Sequence, residues 1–349
     1  MALNNNKRLF WAIEAIGFAP DGSNTFVPAH GIQSLGSNIT FNLTEVFELG
    51  QISIYDNVED TPDVEYTIEK LIDGYPLVYH LATPDAPGAT LVGRSTTRCS
   101  MALSTFGDTQ NSASGTPNTQ CTSSGLYVSS IAYSFPAEDN ATESISLVGN
   151  HRVWTSGSFT FTGGFTNTDV PASGIMRRQH VQMGTGSGVG SVWPKGVNGI
   201  PGIDANGYNQ ARADGTSYSA RIQSVSISTD LGREQLVELG RRNPFFRYAS
   251  FPVEVTCDIE VLSVDGDLIS VNEAGVFGNG NNISNQAIIV RSVWGDEWNL
   301  GTKNKLSSVS SNMSTDGSNQ VDTYSFSNFN DLAVYSPSDP AGFSPPAGN

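Results

Sequence analysis

The clearest pattern in the chain is a strict alternation of apolar and polar residues over residues 251–261. The apolar positions are Phe251, Val253, Val255, Cys257, Ile259 and Val261. The polar positions between them include Glu254, Thr256, Asp258 and Glu260. Because successive side chains of a strand point to opposite faces of a sheet, this spacing predicts a half-buried strand with an acidic outer face. Residues 64–69 alternate in the same way, with Glu65 and Glu69 on the polar side, and predict a second such strand.

Both strands follow the two copies of an internal repeat. The segment IQSLGSNITFNLTEVFELG, residues 32–50, returns as IQSVSISTDLGREQLVELG, residues 222–240, at a constant spacing of 190 residues. Ile, Gln and Ser recur at its start, and Glu, Leu and Gly recur at its end. The alternating strands that follow keep the same apolar phase in both copies. A slip of one residue would invert both faces, so the shared phase supports two structurally similar units.

Each copy also closes with two alternating segments around a polar turn. These are GLYVSSIAYSFPAEDNATESISLVG, residues 125–149, and KLSSVSSNMSTDGSNQVDTYSFS, residues 305–327. Both predict a hairpin. The segments TEVFELG and REQLVELG leave two alternatives open. Each ends on a glycine that suits the C-terminus of a short helix, and each also continues an alternating strand.

The composition favours strands over helices, and the repeat divides the chain into four parts. Val, Ile, Phe, Tyr and Thr dominate the apolar runs, which indicates an all-β protein with minor helix. We expect a first domain with an N-terminal arm over residues 1–150 and a second domain over residues 216–335. The glycine-rich residues 151–215 predict a linker or extended loop. Residues 336–349, which contain four prolines, predict an irregular tail.

Charge and chemistry exclude several classes of function. The formal charge of -16 disfavours simple attraction to nucleic acid phosphates. The four histidines lack metal-ligand spacing, no catalytic motif occurs, and the glycine run over residues 184–190 lacks the Lys-Ser/Thr of a phosphate loop. We therefore expect no enzyme, cofactor or metal. The cysteines suit buried thiols in a reducing compartment, although a Cys99–Cys121 pair stays open. With neither a signal peptide nor an apolar run of about 18 residues, we expect no export and no membrane insertion.

The loops after the shared Leu-Gly carry opposite charges in the two copies. The first copy has Asp56, Glu59, Asp60 and Asp63, and the second has Arg241, Arg242 and Arg247. In a closed ring of alternating copies, each loop could face its complement on a neighbouring chain. Independent drift of two solvent loops is the alternative explanation.

The repeat resembles a known family in both of its copies. IQSVSISTDLGREQLVELGRRNPFFRYASFPVEVTCDIEVLSVDGD, with KLSSVSSNMSTDGSNQVDTYSFSNFNDL, resembles the tail tube (major tail) proteins of long-tailed bacteriophages. ITFNLTEVFELG and YVSSIAYSFPAEDNATESISLVGN are similar to the same family. The resemblance implies two tandem β-sandwich or barrel domains, each with a flanking helix. It also implies that the sheets of neighbouring subunits join into a ring.

The function implied by the resemblance is structural. Rings stack into a hollow tail tube, assembled in the host cytoplasm, that conducts double-stranded DNA out of the virion. Since most members form hexamers of one-domain subunits, the duplication implies three chains per ring. The implied partners are further copies of the chain, a tape-measure protein, a tail terminator and, in a contractile tail, a sheath protein.

In such a tube, the acidic strand faces are candidates for the lining of the channel. If they line the channel, repulsion would keep DNA phosphates from sticking. The candidate channel residues are Glu65, Glu69, Glu254, Asp258 and Glu260. Ordinary solvation is the alternative explanation for these faces.

Two other classes of function stay open. The first is a surface adhesin or glycan-binding virion protein with tandem β-sandwiches. The second is a glycan-degrading enzyme, which would need paired carboxylates at working distance in a cleft.

Overall fold

The computed structural model describes residues 13–106, 117, 119–155, 160–161, 174–184, 222–262, 287–312 and 319–344. Strands dominate these residues. Those of the first 184 residues are β1 (Ile13–Pro20), β2 (Thr25–Pro28), β3 (Ile32–Thr40), β4 (Leu43–Phe47), β5 (Ile54–Glu59), β6 (Asp63–Leu71), β7 (Cys99–Phe106), β8 (Thr119–Pro136), β9 (Thr142–Gly149), β10 (Val153–Thr155), β11 (Thr160–Phe161) and β12 (Val181–Gly184).

The second part of the chain adds nine strands in the described residues. They are β13 (Ile222–Asp230), β14 (Arg233–Leu236), β15 (Phe246–Ala249), β16 (Glu254–Leu262), β17 (Ile289–Ser292), β18 (Glu297–Asn299), β19 (Lys305–Asn312), β20 (Val321–Phe329) and β21 (Ala333–Tyr335). Helix in the described part of the chain is limited to α1 (Val78–Leu81), α2 (Leu91–Arg94) and a 3₁₀ turn (Arg178–His180). The predicted all-β class with minor helix is therefore confirmed.

The centre of the molecule is a run of eight strands in the order β3-β6-β9-β8-β13-β16-β20-β19. All neighbours in this run are antiparallel. Strand β8 has 18 residues, long enough for its first half to pair with β7 and β10 and its second half with β9 and β13. Strands β7, β1, β2 and β11 continue the sheet beyond the first half of β8.

The two copies of the repeat build the two halves of this run with the same strand order. Strands β3-β6-β9-β8 belong to the first copy and β13-β16-β20-β19 to the second. Leu35 pairs with Ile68, and at the equivalent position Val225 pairs with Ile259. The first pair of strands in each copy carries a bulge at the same place, between Ile32 and Ser34 and between residues 222 and 224.

The closing hairpins are equivalent in the same detail. The register of β8 against β9 shifts between Val128 and Ser130, and that of β19 against β20 shifts between Leu306 and Ser308. Residues are therefore equivalent at spacings of 190 for β3 and β13, 191 for β6 and β16, 178 for β8 and β19, and 179 for β9 and β20. The sequence repeat is thus also a repeat of strand order, register and bulges.

The apolar phase of the alternating strands forms the core. Tyr66 and Ile68 of β6 are fully buried, as are the corresponding Cys257 and Ile259 of β16. The apolar face is covered in part by the small sheet β12-β17-β18-β21, whose Trp298 contacts residues 133 and 135 of β8 edge-on. One cluster of buried apolar residues includes members of both copies. The two copies thus share a sheet and a core, and the proposed domain boundaries stay a prediction.

The segments that could be helix or strand are strands in both copies. TEVFELG contributes β4 and REQLVELG contributes β14, and each pairs with the strand that follows it along the chain. Their shared glycines, Gly50 and Gly240, lie in the connecting turns with φ of +88° and +86°. This left-handed conformation favours glycine, so the glycine that suited a helix end belongs to a hairpin instead.

Several other expectations concern the connecting and terminal segments. Residues 156–159, 162–173 and 185–221, which include most of the expected linker, lie outside the described residues. In the expected tail, residues 336–344 contain no strand or helix, but Asp339 forms a buried ion pair with Arg94. Cys99, Cys121 and Cys257 are buried and free, so the Cys99–Cys121 pair is not formed.

Candidate assembly surfaces

One face of the eight-stranded run is covered almost entirely by small polar and acidic side chains. Because directly paired residues of neighbouring strands lie on the same face, the registers bring these side chains together. We call this surface the polar face. Its members include Ser34, Glu65, Thr67, Glu69, Ser130, Ser134, Ser144, Ser146, Ser224, Ser226, Ser228, Asp230, Glu254, Thr256, Asp258, Glu260, Thr323, Ser325 and Ser327.

All five acidic residues that the sequence indicated lie on the polar face. Glu65, Glu69 and Glu254 are exposed, and Asp258 and Glu260 are half-buried. The predicted alternation, with acids opposite the core, is therefore confirmed. That this face lines a channel stays a prediction.

The charges on the polar face are almost all negative. The strands that form it place one basic residue on it within the described part of the chain, Lys305 at the end of β19. Hydroxyl groups hold some of the carboxylates in place. Ser34 Oγ donates to Glu69 Oε2 at 3.3 Å, and Ser224 Oγ donates to Glu260 Oε2 at 2.6 Å. A surface of hydroxyls and carboxylates is well hydrated and repels polyanions.

The two copies are joined by the pairing of β8 with β13, which we call the junction. Seven residue pairs run from Ser130 opposite Asp230 to Pro136 opposite Ser224. A further hydrogen bond at one end runs from Leu231 N to Ser129 O at 2.8 Å. The apolar side chains of both strands are buried here.

The outer strands of the run, β3 and β19, are the equivalents of the junction strands β13 and β8. Within the described part of the chain, β3 pairs only with β6 and β19 only with β20. Leu35 and Val309 are half-buried, although their equivalents at the junction, Val225 and Ile131, are 3% and 1% exposed. Side chains that are buried at the junction are thus partly exposed at the equivalent positions of the free edges.

Each copy also carries a short hairpin after its first strand. The first hairpin is β4–β5 and the second is β14–β15. Leu43 pairs with Glu59 in the first, and Arg233 pairs with Ala249 in the second, so the registers match at a spacing of 190 residues. The four residue pairs of the second hairpin thus have equivalents in the first, which adds a register shift after Val46 and one further pair, Phe47 with Ile54. The two hairpins also differ in their surroundings.

The second hairpin folds back onto the first copy of its own chain. Arg233 Nε donates to Val128 O at 2.7 Å, and the ring of Phe246 meets that of Tyr127 edge-on at 6.0 Å. Burial lowers the pKa of Arg233 to about 10, so the guanidinium stays charged at neutral pH. Leu231, just before the hairpin, is also buried, and its N–H donates to Ser129 O of the first copy.

The oppositely charged loops meet within one chain. Arg247 Nη2 lies 2.6 Å from Asp63 Oδ1, and Arg242 Nη2 lies 3.7 Å from Glu59 Oε2 and donates to Asp60 O at 3.2 Å. The sequence-based hypothesis placed complementary contacts between chains, and that hypothesis stays a prediction. The contacts within the chain arise because the second hairpin folds back and brings its basic loop to the acidic segment of the first copy.

The remaining charged candidates of these loops lie in solvent. Arg241 pairs with its near neighbour Glu238 at 3.0 Å, and Asp56 is exposed. Whether this region also touches a neighbouring chain stays a prediction.

Arg247 is the buried end of the charged contact, with 8% of its side chain exposed, and Asp63 is the more open end, with 40% exposed. Burial alone would raise the pKa of Asp63, but hydrogen bonds from Asn42 and Arg247 outweigh burial, so its pKa lies below the ordinary value. The carboxylate is therefore ionised at neutral pH and binds Arg247 in its charged form.

Within the described residues, no comparable contact covers the first hairpin. Every residue of β4 and β5 is exposed, and so are several large apolar side chains at and near it. These are Phe41, Leu43, Val46, Phe47, Leu49, Ile52, Ile54, Tyr55 and Val58. Sequence reasoning missed this surface. A comparison of Phe41 with Leu231 at the same repeat position could have drawn attention to it.

The described residues contain no group of His, Cys, Asp and Glu side chains suited to hold a metal ion. Nor do they include a helix with the length and apolar content to cross a bilayer. His80 is fully buried, and burial lowers its pKa to about 3, so it is a neutral packing residue.

No protein-family model matches this chain, and no curated protein matches it in sequence. Among solved structures, a chain of the sixfold-symmetrised anti-feeding prophage baseplate is similar over 43% of this chain and 97% of its own length. The identity is 11% and the TM-score 0.32. Hcp1 from Flavobacterium johnsoniae is similar over 44% of this chain and 99% of its own, with 10% identity and a TM-score of 0.24. With both TM-scores below 0.5, neither likeness carries an argument about function.

Proposed function

We propose that this protein is a structural, non-enzymatic component of a bacteriophage tail. Three chains form each ring, and the rings stack into a hollow tube that conducts double-stranded DNA. The observation that supports this proposal best is the equivalence of strands: the free edges β3 and β19 correspond to β13 and β8, the two strands that already pair at the junction.

The junction gives a register for pairing between chains. Strand β19 of one chain would pair with β3 of the next, with Ser308 opposite Thr40, Val309 opposite Ile39 and Ser310 opposite residue 38. Each added chain would again offer one free edge of each kind. Such a head-to-tail contact either closes into a ring or propagates, and a closed ring satisfies every exposed edge.

The polar face would form the inner wall of the ring. Its hydroxyls and carboxylates support a channel through which DNA passes without sticking, because like charges repel the phosphates. The partners proposed with this function are a tape-measure protein, a tail terminator and, in a contractile tail, a sheath protein. The protein would then be located in the virion after assembly in the host cytoplasm.

Cysteine cross-linking tests the edge pairing and the ring size together. Two double variants, Asn38→Cys/Ser310→Cys and Ser37→Cys/Ser311→Cys, place thiols at adjacent pairs of the proposed register. In an antiparallel ladder, adjacent pairs alternate between hydrogen-bonded and non-hydrogen-bonded types, so one variant holds its thiols at the closer spacing. We expect covalent dimers and trimers on a denaturing gel, with no longer species, and hollow stacked rings by negative-stain microscopy.

Two control variants calibrate this experiment. Ala132→Cys/Ser228→Cys is the equivalent site at the junction and should form a disulfide within one chain. Asn38→Cys/Asn312→Cys is out of register by two residues and should cross-link poorly. Monomers without cross-links would contradict the proposal and favour the adhesin class. A ladder beyond three chains would retain the edge pairing but reject the three-chain ring.

A further inference from the structure

Phe41 and Leu231 occupy the same position in the two copies but differ sharply in exposure. Phe41 is 69% exposed, and Leu231 is 2% exposed. Leu231 is covered because the second hairpin lies on the first copy. The N–H of Leu231 itself donates to Ser129 O of that copy at 2.8 Å. The chain thus shows directly which kind of surface covers this position.

We propose that the first hairpin docks on the second copy of the neighbouring chain in the ring. The docking surface is the equivalent of the one that the second hairpin covers within its own chain. It comprises the start of β19, at Lys305 to Ser307, together with Phe251 and Phe329. This inference rests on the proposed function, since edge pairing of β19 with β3 brings the neighbouring chain to this place.

The charges of the two surfaces fit this contact. The equivalents of Phe246 and Tyr127, whose rings touch within the chain, are Asp56 and Lys305. Both are exposed. The aromatic contact within a chain would therefore be replaced by a pair of opposite charges between chains. Lys305 is also the basic residue that stands out on the acidic polar face.

The apolar side chains fit as well. Within the chain, Thr61 Oγ1 donates to the backbone carbonyl of Arg242 at 2.6 Å, which brings these two positions together. Their equivalents are Phe251, 38% exposed, and Ile52, 104% exposed, so two apolar side chains would meet there. Phe329, 59% exposed, is the last residue of β20 and stands at the position equivalent to Asn150, which the second hairpin contacts through Arg247. Exposed apolar groups thus stand on both sides of the proposed contact.

Charge reversal tests the proposed ion pair. Asp56→Lys and Lys305→Asp should each weaken association of the chains by about three- to tenfold, because each sets like charges opposite one another at the edge of the interface. The double variant Asp56→Lys/Lys305→Asp should restore association close to that of the natural chain. Sedimentation velocity over a concentration series measures the effect. Glu48→Lys, at the tip of the same hairpin, changes the net charge equally and should leave association unchanged.

Thiol accessibility tests the docking itself. Phe41→Cys should react rapidly with a maleimide in dispersed chains and about tenfold more slowly in single, unstacked rings, because the position becomes buried. Leu49→Cys is the control. Its equivalent Leu239 stays 103% exposed although the second hairpin is docked, so residue 49 should stay reactive in rings.

The outcomes separate this inference from the proposed function. Rings that form and cross-link through β3 and β19 while residue 41 stays as reactive as residue 49 would overturn the docking and leave the ring standing. Chains that neither associate nor cross-link would overturn both. Equal loss of association in the single and double charge variants would reject the Asp56–Lys305 pair.

Discussion

Ser224 Oγ donates a hydrogen bond to Glu260 Oε2 at 2.6 Å across the first strand pair of the second copy. The equivalent residues of the first copy, Ser34 and Glu69, make the same bond at 3.3 Å. In both copies the serine directly follows the bulge of its strand. The two copies thus share a side-chain contact as well as a backbone register, although the second copy is more enclosed because β13 is paired on both sides.

Because the second copy is more enclosed, removing the hydroxyl of Ser224 and removing that of Ser34 should change the free energy of unfolding by different amounts. Ser224→Ala should lower the free energy of unfolding of dispersed chains by about 1 kcal/mol, because Glu260 is half-buried and loses a short hydrogen bond. Ser34→Ala should cost less than about 0.5 kcal/mol, because both partners are exposed. Urea denaturation of the two variants measures this. A larger loss for Ser34→Ala would contradict the assignment of β3 as a free edge.

Ile131 and Val309 make a matched pair for testing the junction against the free edge. Ile131→Ala should destabilise dispersed chains by about 2–4 kcal/mol, since it opens a cavity at a fully buried site. Val309→Ala should cost about 1 kcal/mol or less, because that side chain is half-buried. Its larger effect should be on assembly, measured by sedimentation. Unchanged assembly by Val309→Ala would count against pairing through β19.

Asp63 ties the second hairpin to the first copy through Arg247. Asp63→Asn should lower the free energy of unfolding at pH 7 by about 1 kcal/mol, a value reduced for the partial exposure of the carboxylate. Since folding lowers the pKa of Asp63, its contribution is present above its ordinary pKa of 3.8 and is lost as the pH falls through the lower folded value. The gap between the natural chain and the variant should therefore close in acid. Glu238→Gln, which removes the exposed partner of Arg241, should have little effect at any pH.

Glu143 predicts a pH dependence of the opposite sign. Burial raises its pKa from 4.5 to about 7, although the N–H groups of Val78 and Tyr79 donate to its carboxylate. The folded chain then holds a proton that the unfolded chain releases, so the Glu143 contribution to stability falls as the pH rises from about 4.5 to 7.

Glu143→Gln removes this slope, so its stability relative to the natural chain should improve with rising pH by at most about 1.4 kcal/mol per pH unit. The lowered pKa of His80 gives the stability of both chains the opposite slope below about pH 6.5. Because this contribution is the same in both chains, it cancels in the comparison. Parallel stability curves for the two chains between pH 4.5 and 7 would show that Glu143 does not titrate there.

The acids of the polar face predict how tubes treat DNA. Glu65→Lys/Glu254→Lys should make assembled tubes retain DNA in a manner that weakens with added salt, because lysines attract the phosphates. Glu45→Lys/Glu48→Lys adds the same charge on the first hairpin and should cause no retention within the channel. A structure of the tube with residues 65 and 254 on its outer wall would refute the channel assignment, though not the tube.

The alternation of apolar and polar residues identifies the strands of the central sheet and the face on which each side chain lies. This follows because the alternation of side chains along a strand is a local property with a period of two residues. The apolar phase of β6 and β16, the acids on their outer sides and the equivalence of the two copies were all visible in this period. The spacing of the repeat also indicates that equivalent loops of the two copies carry opposite charges.

Which of these elements meet depends on the fold of the whole chain. TEVFELG and REQLVELG became strands because a partner strand lies beside each of them, and a short segment with both propensities follows its partner. The two copies merged into one sheet because β8 is long enough to reach β13. Arg247 found Asp63 within its own chain because a hairpin folded back over many residues. Such contacts depend on distances between segments remote in sequence, and no local pattern of residues records them.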